Sequence, residues 1–191
     1  MNKARVLPLL LIPLIILIAS CGLIRVSPDH VIEEIRENPG AGAYIDNVPF
    51  YAQEEYMCGP SSLASVIGYW DRNIPDEEIA AEVYDEKLKG TFPVDLLLYA
   101  RSKGFEAVYY KGGIEDLKEK ISLNVPLIVF IDLGYDFYPV GHYMVIVGYN
   151  DKSKHVIAYS GVNKNEVYSY SELHKLWSKT NFSTLLVRGK R

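Results

Sequence analysis

The chain has 191 residues, a mean hydropathy near neutral and a net charge of −4, which fits one domain with a core of its own. Both charge signs are interspersed and no basic stripe runs along the sequence, which excludes nucleic acid as the expected partner. The 15 tyrosines suit half-buried strands and peptide-binding surfaces without proving either.

At the N-terminus, Lys3 and Arg5 precede an apolar run over residues 6–18 that only Pro8 and Pro13 interrupt. At about 1.5 Å per helical residue the run spans roughly 20 Å, short of the ~30 Å hydrocarbon core. A secretory signal therefore fits better than a membrane-spanning helix. The run ends Ile18-Ala19-Ser20-Cys21-Gly22. This resembles the lipobox of bacterial lipoproteins, in which a signal peptidase cuts before the cysteine and the cysteine is acylated. An ordinary signal peptide with an incidental Cys21 is the competing reading. The expectation is a lipoprotein signal peptide over residues 1–20, lipidation at Cys21, and a mature protein anchored to the membrane of the bacterial cell envelope, outside the cytoplasm. Of the two cysteines, Cys58 is then left without a partner in the chain. It is either a reactive thiol in an exported protein or a small buried hydrophobe.

Residues 28–37 predict one or two helical turns, and Asn38-Pro39-Gly40-Ala41-Gly42 reads as linker. The lipidated cysteine and linker are thus expected over 21–43 and the folded domain over 44–191. Residues 45–50 read as extended, because Pro49 disfavours helix just before it. Helices are predicted over 59–70, with Leu63, Val66, Ile67 and Trp70 on one face, over 75–84, with acidic residues in the first turn, and over 93–102, closed by Gly104. A strand over 106–110, a helix over 114–123 and a buried strand over 125–132 follow. Strands over 142–149 and 155–159 flank a turn at 150–154. A short helix over 171–179, capped by Ser171, and a strand over 184–187 complete the chain. Helices first and strands afterwards, with few crossovers, predict an α+β fold with an antiparallel sheet rather than a doubly wound one.

The chemistry concentrates in Gln53-Glu54-Glu55-Tyr56-Met57-Cys58-Gly59-Pro60-Ser61-Ser62-Leu63. Cys58 stands just ahead of a predicted helix, where unpaired N–H groups and the positive dipole end favour thiolate over thiol. Gly59 allows a sharp turn, and Pro60 suits the first helical position. Gln53 carries an amide that can donate to an oxyanion formed on a carbonyl under attack by Cys58. A thiol nucleophile needs a base. His142, in Gly141-His142-Tyr143, sits at the mouth of a predicted strand, where a sheet can fix its imidazole. His30, in the linker, His155, beside a turn, and His174, in a polar helix, read as ordinary surface or half-buried histidines.

Gln53, Cys58-Gly59 and Gly141-His142-Tyr143 resemble the motifs of the C39-type peptidases of the papain-like cysteine peptidase superfamily, which include double-glycine leader peptidases and stand-alone C39-like domains. The resemblance covers roughly residues 46–188. The lead-in Val48-Pro49-Phe50 and residues 133–142 are most similar to a subgroup of stand-alone bacterial lipoproteins. It implies a papain-like fold with N-terminal helices packed on an antiparallel sheet. It also implies Cys58 as nucleophile, His142 as general base and acid, and Gln53 as oxyanion donor, with no cofactor or metal ion. The sequence departs from the pattern twice. No Gly-x4-Gly-Lys-Ser/Thr loop is present, so no ATP-driven transporter is expected and ATP is not an expected partner. The Asp that the family places on the strand after the histidine is replaced by Tyr159-Ser160-Gly161. Counting back through a hairpin centred near Asp151 places residues 160–162 opposite His142. Ser160 is therefore the available third member, and a plain core or turn serine is the equal alternative.

The expected function is a lipid-anchored cysteine peptidase acting on peptides or secreted proteins. The alternatives are acyl transfer or deamidation by the same thiol, and a degenerate papain-like module that binds a peptide without cutting it.

Overall fold

The computed structural model describes residues 26–52, 56–70, 73–135 and 137–189. Cys21 and Gln53 lie outside the described residues. The elements run α1 (Pro28–Glu37), β1 (Gly42–Tyr44), α2 (Cys58–Tyr69), α3 (Asp76–Val83), α4 (Pro93–Ser102), β2 (Glu106–Lys111), α5 (Ile114–Ser122), β3 (Leu127–Asp132), β4 (Gly141–Asn150), β5 (His155–Ser160), β6 (Asn163–Ser169), α6 (Tyr170–Ser178) and β7 (Ser183–Arg188). All pairings are antiparallel in one seven-stranded sheet of order β2-β7-β3-β4-β5-β6, with β1 paired to the far end of β4. This is the predicted α+β class.

β3 and β4 have the near-continuous apolar sequences of strands covered on both faces, and Leu127, Val129, Ile131, Met144, Val145, Ile146 and Val147 are fully buried. α2 packs on this centre and is itself buried all round from Gly59 to Ile67. Its serines are accommodated by hydrogen bonds rather than by water. Ser61 donates to Asp76 Oδ2 at 2.6 Å, and Ser65 donates to the Ser61 carbonyl at 2.9 Å. The prediction over 93–102 coincides with α4, whose first residue is Pro93 and whose end is turned by Gly104 at φ +89°.

Four local readings are corrected. α2 begins at Cys58 itself, so Pro60 is the third helical residue rather than the first. α6 is capped by Ser169, not Ser171. Ser169 is extended and its hydroxyl accepts from the Glu172 N–H at 3.2 Å, one half of a capping box. The extended reading of 45–50 is broken in its middle: Ile45 bonds to the Val147 carbonyl, but no strand forms over these residues. Asn47 then turns the chain at φ +64°. Residues 28–37 form a ten-residue helix whose Val31, Ile32 and Ile35 join the main core, ahead of the expected domain start. β6 was not foreseen. No helix among the described residues is long and apolar enough to cross a membrane.

Candidate active site

Cys58 opens α2, and its side chain is half-buried. Tyr56, two residues earlier, holds φ +67°, a left-handed conformation that is costly for a bulky residue and marks a tightly determined turn. Gly59 brings the helix against β4 and the loop before α4. A Cβ there would stand 3.1 Å from Thr91 Cβ and 3.4 Å from Tyr143 Cδ2. Tyr143 is pinned in turn by donating its hydroxyl to the Thr91 carbonyl at 3.0 Å and by packing on Phe130 at 4.5 Å between ring centres.

His142 follows Gly141 at the start of β4, in register with Ile131 of β3. A Cβ on Gly141 would come within 2.5 Å of the Phe130 ring, so any other residue before His142 would have to displace that ring. The loop that leads into β4 is tied at its base by Asp132, whose Oδ1 accepts from the N–H groups of Gly134 and Val140, each at 2.8 Å. The Val140 N–H, followed by that of Gly134, holds the Asp132 carboxyl below the usual range. The strand start that carries His142 is thus fixed from both sides.

The backbone N–H of Tyr143 stands near enough to the Cys58 thiol to favour its charged form, so the start of β4 lies beside the start of α2. His142 Nε2 lies 3.0 Å from Ser160 Oγ. The residue picked out by hairpin arithmetic is therefore the one in contact with the imidazole. A bulge between Ile146 and Gly148 adjusts the β4–β5 register on the way. Ser160 also contacts Tyr168 Oη at 3.1 Å, and Tyr168 donates to Glu166 Oε2 at 2.9 Å. Tyr168 and Glu166 escaped the sequence reading because they lie on β6. The short Ser160-Gly161 turn, with Gly161 at φ +57°, was the signal for that hairpin.

The electrostatics run against the thiolate expected at a helix N-terminus. Burial pushes the Cys58 thiol up, and the N–H groups of Tyr143, Gly59 and Cys58 itself only partly oppose it. Burial lowers His142, with Glu166 opposing. Both shifts favour the uncharged pair, thiol and neutral imidazole. His30 and His174 are exposed, and His155 lies at the start of β5, away from Cys58. No group of three or more metal-ligating side chains placed to hold an ion occurs among the described residues.

Beside Gly141 a cleft of about 320 Å³ is walled by Pro93, Tyr109, Phe130 and Pro139, with Asp132 and Lys179 at its edge. Tyr109, Val140 and Phe92 are each more than two-fifths exposed, so apolar surface continues out of this part of the molecule.

The sequence profile of the Peptidase_C39 like family matches residues 45–185. No curated protein matches the chain significantly. Among solved structures, the peptidase domain of Streptococcus ComA, a bifunctional ABC transporter of a quorum-sensing pathway, superposes with a TM-score of 0.61 at 20% identity, covering 75% of this chain and 100% of that one. A double-glycine-motif protease from an AMS/PCAT transporter, solved with its leader peptide, gives 0.62 at 21% identity over 78% and 95% of the two chains. Xylellain, a cysteine protease from Xylella fastidiosa, gives 0.55 at 13% identity over 79% and 87%. These likenesses establish the papain-like fold.

Proposed function

The chain belongs to the Peptidase_C39 like family, and from that premise we propose that it is a cysteine peptidase that cuts peptide bonds through Cys58 and His142. The observation that carries the reading is the meeting of two elements. The start of β4, which carries His142, lies beside the start of α2, which carries Cys58, and the imidazole is in contact with Ser160.

Because burial favours the uncharged pair, the proton leaves as the bond forms. His142 takes the Cys58 proton while the sulfur attacks the substrate carbonyl, whose electron pair moves to oxygen. Gln53 is the proposed side-chain donor to that oxyanion. His142 then gives its proton to the leaving amine as the C–N bond breaks. Water, deprotonated by the same imidazole, splits the thioester to acid and thiol. The cleft beside Gly141 suits an apolar side chain of a peptide substrate. Peptides and secreted proteins are the substrate class consistent with an exported enzyme. The anchor belongs to the same proposal: Cys21 acylated after signal cleavage, as in stand-alone lipoproteins of this family, with more than one acyl chain for stable retention.

A second reading has its own observation. His142 meets a serine where the family pattern has a carboxylate, which suits a module that binds peptides without cutting them. A peptide-based acyl-enzyme probe separates the two. The peptidase labels on Cys58, read by mass spectrometry of the tryptic digest, and His142→Ala does not. A folded wild-type protein that stays unlabelled is the binding module. Labelling with transfer to an added amine instead of water identifies an acyltransferase. Fractionation tests the anchor, since Cys21→Ala releases the protein from membranes or blocks its processing. A variant still tightly membrane-bound removes Cys21 as the anchor.

A further inference from the structure

Behind His142 the hydrogen bonds do not stop at Ser160. They continue through Tyr168 to Glu166, over distances of 3.0, 3.1 and 2.9 Å. The far end fixes the direction of every proton in this chain. A carboxylate only accepts, so the Tyr168 hydroxyl proton points to Glu166. The Tyr168 oxygen then accepts from Ser160, and the Ser160 oxygen accepts from His142 Nε2–H. The opposite order would turn the Tyr168 proton toward Ser160. It would leave a phenol oxygen and a carboxylate oxygen 2.9 Å apart with no proton between them. The arrangement therefore selects the Nε2–H tautomer and leaves the Nδ1 lone pair as the proton acceptor of the ring.

Position supports the coupling. Ser160 and Tyr168 are 5% and 8% exposed, and hydrogen bonds in such surroundings polarise one another. Burial pushes the Tyr168 hydroxyl above its ordinary range, with Glu166 adding to the push, so it stays a donor. Glu166 opposes the effect of burial on His142. Among the described residues, the other charged or titratable groups at this corner are Glu172, at the start of α6, which also bears on Tyr168, Lys164, over the Tyr159 ring, and His155 of β5, which lines the same pocket as Glu166 and Tyr168.

We propose that Glu166 is the carboxylate of this site, a positioning residue that acts on His142 through Tyr168 and Ser160 rather than by direct contact. The proposal rests on the reading of His142 as the base for Cys58. When Nδ1 takes the thiol proton the ring becomes a cation. Nε2–H, Ser160 and Tyr168 already point their protons toward Glu166, so the cation is stabilised without any proton crossing the chain. The missing Asp of the family pattern is thus replaced by a longer path ending in the same charge.

Imidazole ¹⁵N spectra of the labelled full-length protein test this, with the His142 signals assigned by their loss in His142→Ala. The wild type shows neutral His142 as the Nε2–H tautomer. Glu166→Gln, which keeps the acceptor and removes the charge, lowers the His142 pKa by about half a unit to one unit. Adding Tyr168→Phe to Glu166→Gln lowers it no further, because the two act as one path. An Nδ1–H tautomer in the wild type overturns the proposal. So does a His142 pKa unmoved by Glu166→Gln, or independent losses that sum in the double variant. These spectra need no turnover. The expected spectra in a protein that never labels with the acyl-enzyme probe would keep the chain and discard the peptidase. Labelling with an unmoved titration would do the reverse.

Discussion

The two halves of the site are built from opposite materials. Cys58 is held by a helix buried on every side, among Leu63, Ala64, Val66 and Ile67, all fully buried. His142 is held by polar contacts that run outward, from Ser160 through Tyr168 to the half-buried Glu166 on the last strand of the sheet. Packing fixes position in an all-or-none way, because a close-packed interior relaxes little. A hydrogen-bonded path yields by degrees as links are removed. The nucleophile should therefore tolerate almost no change, and the base should tolerate graded loss of its support.

Substitutions along the two halves make that contrast measurable. Cys58→Ala should abolish peptide hydrolysis, a fall of about 10³-fold or more in kcat/KM. His142→Ala should cost roughly 10²- to 10⁴-fold in the same assay, the range for a lost general base. Gly141→Ala tests the packed side of the base. Its Cβ would meet the Phe130 ring at 2.5 Å, so chemical denaturation should show about 1–3 kcal/mol of lost stability, the usual cost of overpacking. Ser160→Ala removes the first polar link while leaving the ring in its strand. Its loss in kcat/KM should be about 10-fold, far below that of His142→Ala. A Ser160→Ala loss as large as that of His142→Ala would end the graded picture.

The smallest effect is on stability. Burial lowers the His142 pKa, so the folded protein keeps the ring neutral where the unfolded chain, with an ordinary value of ~6.5, has bound a proton. His142 therefore costs nothing above that pH. It costs stability progressively as pH falls from there through the lowered folded value. Denaturation midpoints of wild type and His142→Gln should diverge only below about pH 6.5, with the wild type falling faster.

The contrast between the halves also decided what the sequence disclosed. Apolar residues at helical spacing and a cysteine before Gly59-Pro60 made α2 and its nucleophile visible, and Pro93 with Gly104 bounded α4 to the residue. The base was visible because Gly-His opens an apolar strand. Its support was only half visible. Ser160 follows from counting through one hairpin, but Asn163–Ser169 is mostly polar and sits at a sheet edge, where no buried face imposes alternation. Glu166 and Tyr168 stayed hidden with it. The start of α6 is marked by Ser169-x-x-Glu172, the spacing of a capping box, which competes in the sequence with Ser171 two residues on. The protonation of Cys58 could not be read from local sequence at all. A helix N-terminus argues for thiolate, and only the three-dimensional burial of the sulfur reverses the balance.

The central claim is that His142 activates a half-buried, protonated Cys58. The most direct test is the rate of Cys58 alkylation by iodoacetamide as a function of pH in the wild type and in His142→Ala. The wild type should react at neutral pH through the imidazole. His142→Ala should react only on an alkaline limb above the ordinary thiol value of ~8.5, because burial raises Cys58. Superimposable profiles for the two proteins would contradict the account.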